Sequence, residues 1–515
     1  MKLSKKGISN PKLWPSDYIL PRFDVEAMVE RTTDAPTWLH IGAGNIFRIF
    51  PAAAQQDLLE NGLENKGIIV YEAYDEYIIP EAFTPYDNLT MGVSFGGNGN
   101  IEKRVIASIA EAFSQDLPRL SQIIAKPTLA LISFTITEKG YSVNPDNICE
   151  TRAKAATAIE QVTAGLYTRF EAGAPPLALV TMDNFAENGE KLAAAVKQVA
   201  GYWVKKGEAK PGFLEYINSL SFPWTMIDKI TPRPSGEIAG ILAADGYPDT
   251  AIIETVKHTF VASFVNAESA GYLIIEDDFP NGRPPLEKAG IYFTDRETVR
   301  KTDQMKVCAC LNPLHTILAI CGMLLNIPTI SSCMKDERLV ALIKTAASEA
   351  LPVVDSPGII DPADFLNEIL TERFPNPFIP DAPARIASDT SQKVPVRFGV
   401  TLKERKERNM PMNELEAIPL FVSLWLRYRT GTDDSGLPMD LSPDPNLPES
   451  LKGLLNLPFG EKADLKNILS DAKLFGIDLY GAGLGDKIES LFSELSAKPE
   501  AVSTKLTEFF ESRKE

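Results

Sequence analysis

One segment constrains this chain more than any other. Trp38-Leu39-His40-Ile41 is a short, mostly apolar run that passes directly into Gly42-Ala43-Gly44 and then into the alanine-rich stretch Ile46–Leu59. Asn61-Gly62 stops that stretch, and Gly67-Ile68-Ile69-Val70-Tyr71 follows, ending at Glu72, Ala73, Tyr74 and Asp75. Strand, glycine turn, helix and second strand make a βαβ unit, which commits this part of the chain to parallel strands with a helical crossover.

Later segments extend the pattern. Arg104–Ile109, Thr128–Thr135 and Leu177–Met182 are continuous apolar runs of the kind expected in strands covered on both faces, with helical stretches at Ala155–Phe170 and Ala186–Trp203. From about Glu297 the character changes: Val307–Leu325, Glu337–Ala350, Pro362–Glu372, Met412–Tyr428 and Lys487–Leu495 read as helices with few strand-like runs between them. Asp433–Ser450, rich in Pro, Gly, Asp and Ser, predicts a surface loop. The expected architecture is α/β, with a Rossmann-like domain over residues 1–296 and a mainly α-helical domain over 297–515.

The glycine turn carries the first chemical expectation. It has two of the three glycines of a dinucleotide fingerprint, and Phe47 stands at the third position. Gly42 would permit the tight turn and Gly44 would let backbone N–H groups approach a pyrophosphate, with the helix opening at Asn45 and Ile46 adding a favourable dipole. Glu72 closes the next strand 28 residues after Gly44. Either Glu72 or Asp75 could accept hydrogen bonds from ribose hydroxyls, and a carboxylate there repels a 2′-phosphate, which favours NAD over NADP. An acidic residue in a solvated loop is the plainer alternative. Arg48, one turn into the helix, could meet a phosphate or a substrate carboxylate, or form a surface salt bridge.

Charge narrows the partners. With 52 Lys plus Arg against 69 Asp plus Glu, the formal net charge is -17, a balance that repels nucleic acid and anionic membrane. The five cysteines (Cys149, Cys308, Cys310, Cys321 and Cys333) form no CxxC pair, and there are only three histidines, so no metal is expected. Met1–Asn10 is short and polar rather than a leader, and Thr316–Ile330 is too short to span a bilayer, so the cytoplasm is the expected compartment.

Lys306, Asn312 and His315 form the second constellation. Asn312 and His315 are three residues apart and share a helix face, so an amide and an imidazole can converge on one oxygen. Lys306 lies nine residues before His315, on the far side of an uninterrupted helix, so the three act together only if Lys306 precedes the regular helix or the helix is distorted. Pro313 fits a helix that starts close to Asn312. Oxidising an alcohol needs a base for the hydroxyl proton and donors for the developing alkoxide, which these side chains can supply. A core histidine and a capping asparagine would explain two of them without chemistry.

Several stretches in order resemble the long-chain mannitol dehydrogenase family. They are His40–Gly44 with Arg48, Thr135–Tyr141, Asp183-Asn184 with Asn188-Gly189, Phe222–Pro232, Ile275–Pro284, Lys306 with Leu311-Asn312 and His315, Arg373–Pro377, and Arg385–Asp389 with Lys393. The resemblance implies an N-terminal dinucleotide-binding domain, a helical C-terminal domain and catalysis without zinc. It implies that Lys306 is the general base and that Asn312 and His315 polarise the substrate oxygen. Glu138, Asn184, Asp228, Arg385 and Lys393 would then be substrate contacts, with Asp303 as a proton-relay carboxylate. Two departures stand out: Lys306 precedes Asn312 by six residues where the family has five, and Ser388 stands where polyol-oxidising members carry a histidine.

Arg48, Arg385 and Lys393 offer cations for a carboxylate in an otherwise acidic chain. The expected reaction is therefore reversible reduction of a keto-uronate, such as fructuronate to mannonate, with NADH. A mannitol–fructose pair is the alternative, and a non-catalytic sugar or nucleotide sensor is the alternative from outside enzymology.

Overall fold

The computed structural model describes residues 1–97, 99–379 and 381–513, and divides into two compact units, Met1–Arg300 and Lys301–Glu515.

The first unit is built on five parallel strands: β1 (Trp38–Ile41), β2 (Ile68–Glu72), β3 (Ile109–Ser114), β4 (Leu131–Phe134) and β5 (Ala178–Thr181), in the order β3-β2-β1-β4-β5. This is the doubly wound order, and Ser221 bridges Ala178 beyond β5. Every residue of β1, β2, β4 and β5 is buried. Successive side chains point to opposite faces, so Leu39, Ile41, Ile132 and Phe134 join one apolar core while Trp38, Val70, Leu131 and Val180 join the other. Layers on both faces explain why these strands read as continuous apolar runs rather than alternating ones. His40, one of the polar residues in these strands, is satisfied inside: its ring nitrogens lie 2.7 Å from Ser133 Oγ and 2.9 Å from Thr135 Oγ1.

The Arg104–Ile109 run, expected as one strand, is two. Ile101–Ile106 belongs to a mixed sheet with Tyr18–Ile19, Thr90–Phe95 and Phe264–Glu268, whereas Ile109–Ser114 is β3. The chain changes sheets at Ala107-Ser108, where the Gln56 amide accepts from Ala107 N at 2.6 Å and donates to the Val105 carbonyl at 2.9 Å. A buried side chain 51 residues away makes the break, which local composition does not reveal.

The second unit is helical, and its described residues hold no strand beyond an isolated Thr432–Pro438 bridge. The Ala417–Tyr428 helix is buried at every position, as a central core helix must be. It begins later than the expected Met412 because its first N–H groups are capped from elsewhere: the Glu349 carboxylate accepts from Glu416, Ala417 and Ile418 at 2.6, 2.8 and 2.9 Å. The helical run Arg296–Leu324 is 29 residues and contains a window apolar enough for a membrane span, 78% of it buried inside the structure. Among the described residues this unit contains three wide π-turns, at Lys306–Cys310, Ile369–Arg373 and Pro395–Gly399.

Candidate active site

In the first unit, the glycine turn and the residues Glu72, Asp75, Glu138 and Asn184 follow or end the parallel strands at their carboxyl ends, where open α/β sheets bind ligands. Gly42 leaves β1 with φ +107°, a conformation that excludes ordinary side chains, and its N–H donates to the Tyr71 carbonyl at 2.8 Å. A β-carbon on Gly42 would sit 2.3 Å from Thr135 O, whereas one on Gly44 would meet nothing within 4 Å. Gly44 is also the N-cap of the Asn45–Ile49 helix and offers no capping side chain. Open space over a glycine, beside uncapped helix N–H groups, is what a dinucleotide pyrophosphate requires, so the residues present fit that cofactor. Phe47, in place of the third glycine, stacks on His40 at 3.7 Å and so sets the helix-to-strand spacing with an aromatic pair.

The two acidic candidates separate. Glu72 is buried beneath the turn and accepts from Ala43 N at 2.7 Å, Tyr74 N at 2.8 Å and Asp75 N at 3.0 Å. Burial pushes its carboxyl above the usual range, against the pull of those three N–H groups. Asp75 is fully buried and takes the Thr255 hydroxyl at 2.6 Å, so it anchors the Ile253–Val261 hairpin. Arg48 is fully buried too: its guanidinium donates to Thr90 Oγ1 at 3.1 Å and to the Ala262 and Ala82 carbonyls at 3.0 and 3.4 Å, and lies over the Phe83 ring. With every nitrogen so engaged, its surroundings are those of a brace, not of a first contact to a ligand. Asn184 and Glu138 are exposed after β5 and β4, Glu138 being paired with Lys191 at 3.0 Å, and Asp228 is buried at the end of the Thr225–Asp228 strand.

In the second unit, Lys306 is buried at the start of a π-turn whose closing bond runs from Leu311 N to Lys306 O at 3.3 Å. A π-turn holds one residue more than an α-turn. The helix between Lys306 and Asn312 is therefore distorted rather than of uniform pitch, and it restarts at Asn312 with Pro313 in its first turn. Pro313 brings no N–H to the ladder, and the Cys308 carbonyl instead accepts from the Thr401 hydroxyl at 3.0 Å. Asp303, one turn before Lys306, has its carboxyl pushed up by burial against the pull of the lysine charge.

Asn312 and His315 share the face of the Asn312–Leu324 helix. His315 packs on Phe374 at 5.3 Å, and its Nε2 lies 2.9 Å from Asp381 Oδ2. Burial pushes the imidazole below its usual range, Asp381 pulls it back, and Arg397 and Arg385 push it further down. Arg397 donates to Thr316 Oγ1 at 2.6 Å and to the Asn312 carbonyl at 3.3 Å. Lys393 donates to the Ile386 and Ser388 carbonyls, and burial together with the neighbouring Arg397 lowers its ammonium to about 8. Sequence reasoning missed Asp381 and Arg397. The i,i+4 pairs Asp381/Arg385 and Lys393/Arg397 were the available signal. Among the described residues, no group of three or more His, Cys, Asp or Glu side chains forms a metal site.

Two domain models match the chain: a mannitol dehydrogenase Rossmann domain over residues 36–288 and a mannitol dehydrogenase C-terminal domain over residues 298–495. A D-mannonate oxidoreductase of Thermotoga maritima is 44% identical over 99% of each chain, and a mannitol 2-dehydrogenase of Cereibacter sphaeroides is 28% identical over 83% of this chain and 86% of its own. The fold is shared with a D-sorbitol dehydrogenase (TM-score 0.82, 22% identity, 98% and 99% coverage). It is shared also with Pseudomonas fluorescens mannitol 2-dehydrogenase (TM-score 0.71, 24% identity, 99% and 100% coverage). With both units matched and a full-length relative at that identity, the chain belongs to the mannitol dehydrogenase family of oxidoreductases.

Proposed function

We propose that this oxidoreductase interconverts a keto-uronate and its aldonate, in the manner of fructuronate and mannonate, with NAD(H). One observation carries the choice of an acidic sugar: in a chain of net charge -17, Arg385, Lys393 and Arg397 crowd together near His315, closely enough that Arg397 and Arg385 both depress Lys393. An anionic ligand beside the candidate catalytic helix would relieve the repulsion that Arg397 and Arg385 exert on Lys393. The relative named for D-mannonate supports the same substrate class. Arg48, spent inside the first unit, takes no part.

A bound nicotinamide dinucleotide supplies or accepts the hydride. Gly42 and Gly44 shape its pyrophosphate turn, and the Glu72 carboxylate below the turn favours NAD by disfavouring a 2′-phosphate. In reduction, Lys306 delivers the proton to the carbonyl oxygen, while Asn312 and His315 bear on that oxygen as negative charge develops. In oxidation, Lys306 takes the hydroxyl proton, and Asp303 one turn away passes it on. Asn184, Asp228 and Glu138 are assigned to the sugar hydroxyls.

The test is a panel of keto-uronates, ketoses and their phosphates, each followed by NADH oxidation. The expected result is a higher kcat/KM for a keto-uronate. Fructose turned over as efficiently would assign the enzyme to the polyol–ketose pair instead, and cofactor binding without turnover of any panel member would make it a sensor.

A further inference from the structure

Asp381 serves two partners on separate oxygens. Its Oδ2 lies 2.9 Å from His315 Nε2, and its Oδ1 accepts from Arg385 Nε at 3.0 Å and from Nη2 of the same guanidinium. The Asp381 side chain is only 6% exposed, whereas the Arg385 side chain is 68% exposed, so a buried anion ties an imidazole to a guanidinium that reaches solvent. The Asp381 carboxylate, 2.9 Å from Nε2, favours a proton on that nitrogen. With Nε2 engaged, only Nδ1 is left to meet a substrate oxygen, and a neutral ring protonated on Nε2 presents a lone pair there. To donate to a ketone oxygen from Nδ1, His315 must be an imidazolium.

We propose that Asp381 is a positioning residue that couples carboxylate capture by Arg385 to the protonation of His315, so that an anionic substrate arms the group that polarises its own carbonyl. The proposal rests on the keto-uronate reading for the identity of the anion. With Arg385 bare, its positive charge opposes protonation of His315 and it shares Asp381. With a carboxylate on Arg385, that opposition is cancelled and Asp381 acts on the imidazole alone. Arg397, from the Pro395–Gly399 turn, and the uncharged Phe374 ring also face His315. Burial and the two arginines push the free-enzyme imidazole below its usual range, and Asp381 opposes them. A neutral ketose leaves Arg385 uncompensated and gains no such help.

The chain has only His40, His258 and His315, so ¹⁵N imidazole NMR of the full-length protein can follow each ring. Arg385→Gln should raise the His315 pKa, and Asp381→Asn should lower it by more and shift the neutral-ring proton between nitrogens. Mannonate added to the wild type should raise the His315 pKa, and added to Arg385→Gln should not. If Asp381→Asn does not fold, Arg385→Gln decides alone, since it alters an exposed side chain. A His315 titration unchanged in Arg385→Gln overturns the coupling. If the free-protein shift appears but mannonate leaves the wild-type spectrum untouched, the coupling stands and the keto-uronate reading falls.

Discussion

The α-carbon of Gly42 faces the carbonyl of Thr135 so closely that a β-carbon would stand 2.3 Å from that oxygen. The contact joins the end of β1 to the residue after β4, and it accompanies a backbone φ of +107° that side chains rarely adopt. Gly44, two residues on, has open space instead.

Gly42→Ala is therefore expected to cost at least about 1 kcal/mol of folding stability and to weaken NADH binding, because strain and displacement both act on the turn. Gly44→Ala should leave stability nearly unchanged and weaken NADH binding, since its methyl enters the open space. Urea unfolding and a fluorescence titration with NADH separate the two. Equal stability losses in both variants would contradict the assignment.

Lys306→Ala is expected to lower single-turnover hydride transfer by about 10²-fold or more while NADH affinity stays close to wild type, since the dinucleotide turn lies in the other unit. Hydride transfer near the wild-type rate across the pH range would remove Lys306 from the mechanism.

Lys393 gives a pH prediction with a definite sign. Its ammonium is lowered to about 8, so its charge is present below that pH and lost above it. KM for a keto-uronate should rise as pH climbs through about 8, while KM for a neutral ketose should not. Parallel profiles for the two substrates would show that Lys393 does not meet the carboxylate.

Glu72 makes the cofactor prediction. NAD is expected to be preferred, and Glu72→Gln should narrow the preference by removing the charge that opposes a 2′-phosphate. A wild-type preference for NADP of about tenfold, worth about 1.4 kcal/mol, would reverse the assignment.

Sequence alone determined the βαβ opening, the need for glycine at position 42 and the change from strands to helices after the middle of the chain. Such features depend on local periodicity and on backbone conformations that neighbouring residues dictate. The spacing of Lys306, Asn312 and His315 was readable in the same way, but the local helix geometry around them was not. A helix of uniform pitch puts Lys306 on the far side from His315, whereas the structure has a π-turn at Lys306–Cys310, with Thr401 serving the Cys308 carbonyl 93 residues away. Tertiary structure likewise decided that Gln56 splits the Arg104–Ile109 run between two sheets and that Arg48 is spent on carbonyls at Ala82 and Ala262. It also decided that His315 answers to Asp381. In each case a buried polar group must find a partner, and the one it finds is distant in sequence, so only the folded chain reveals which side chains remain for chemistry.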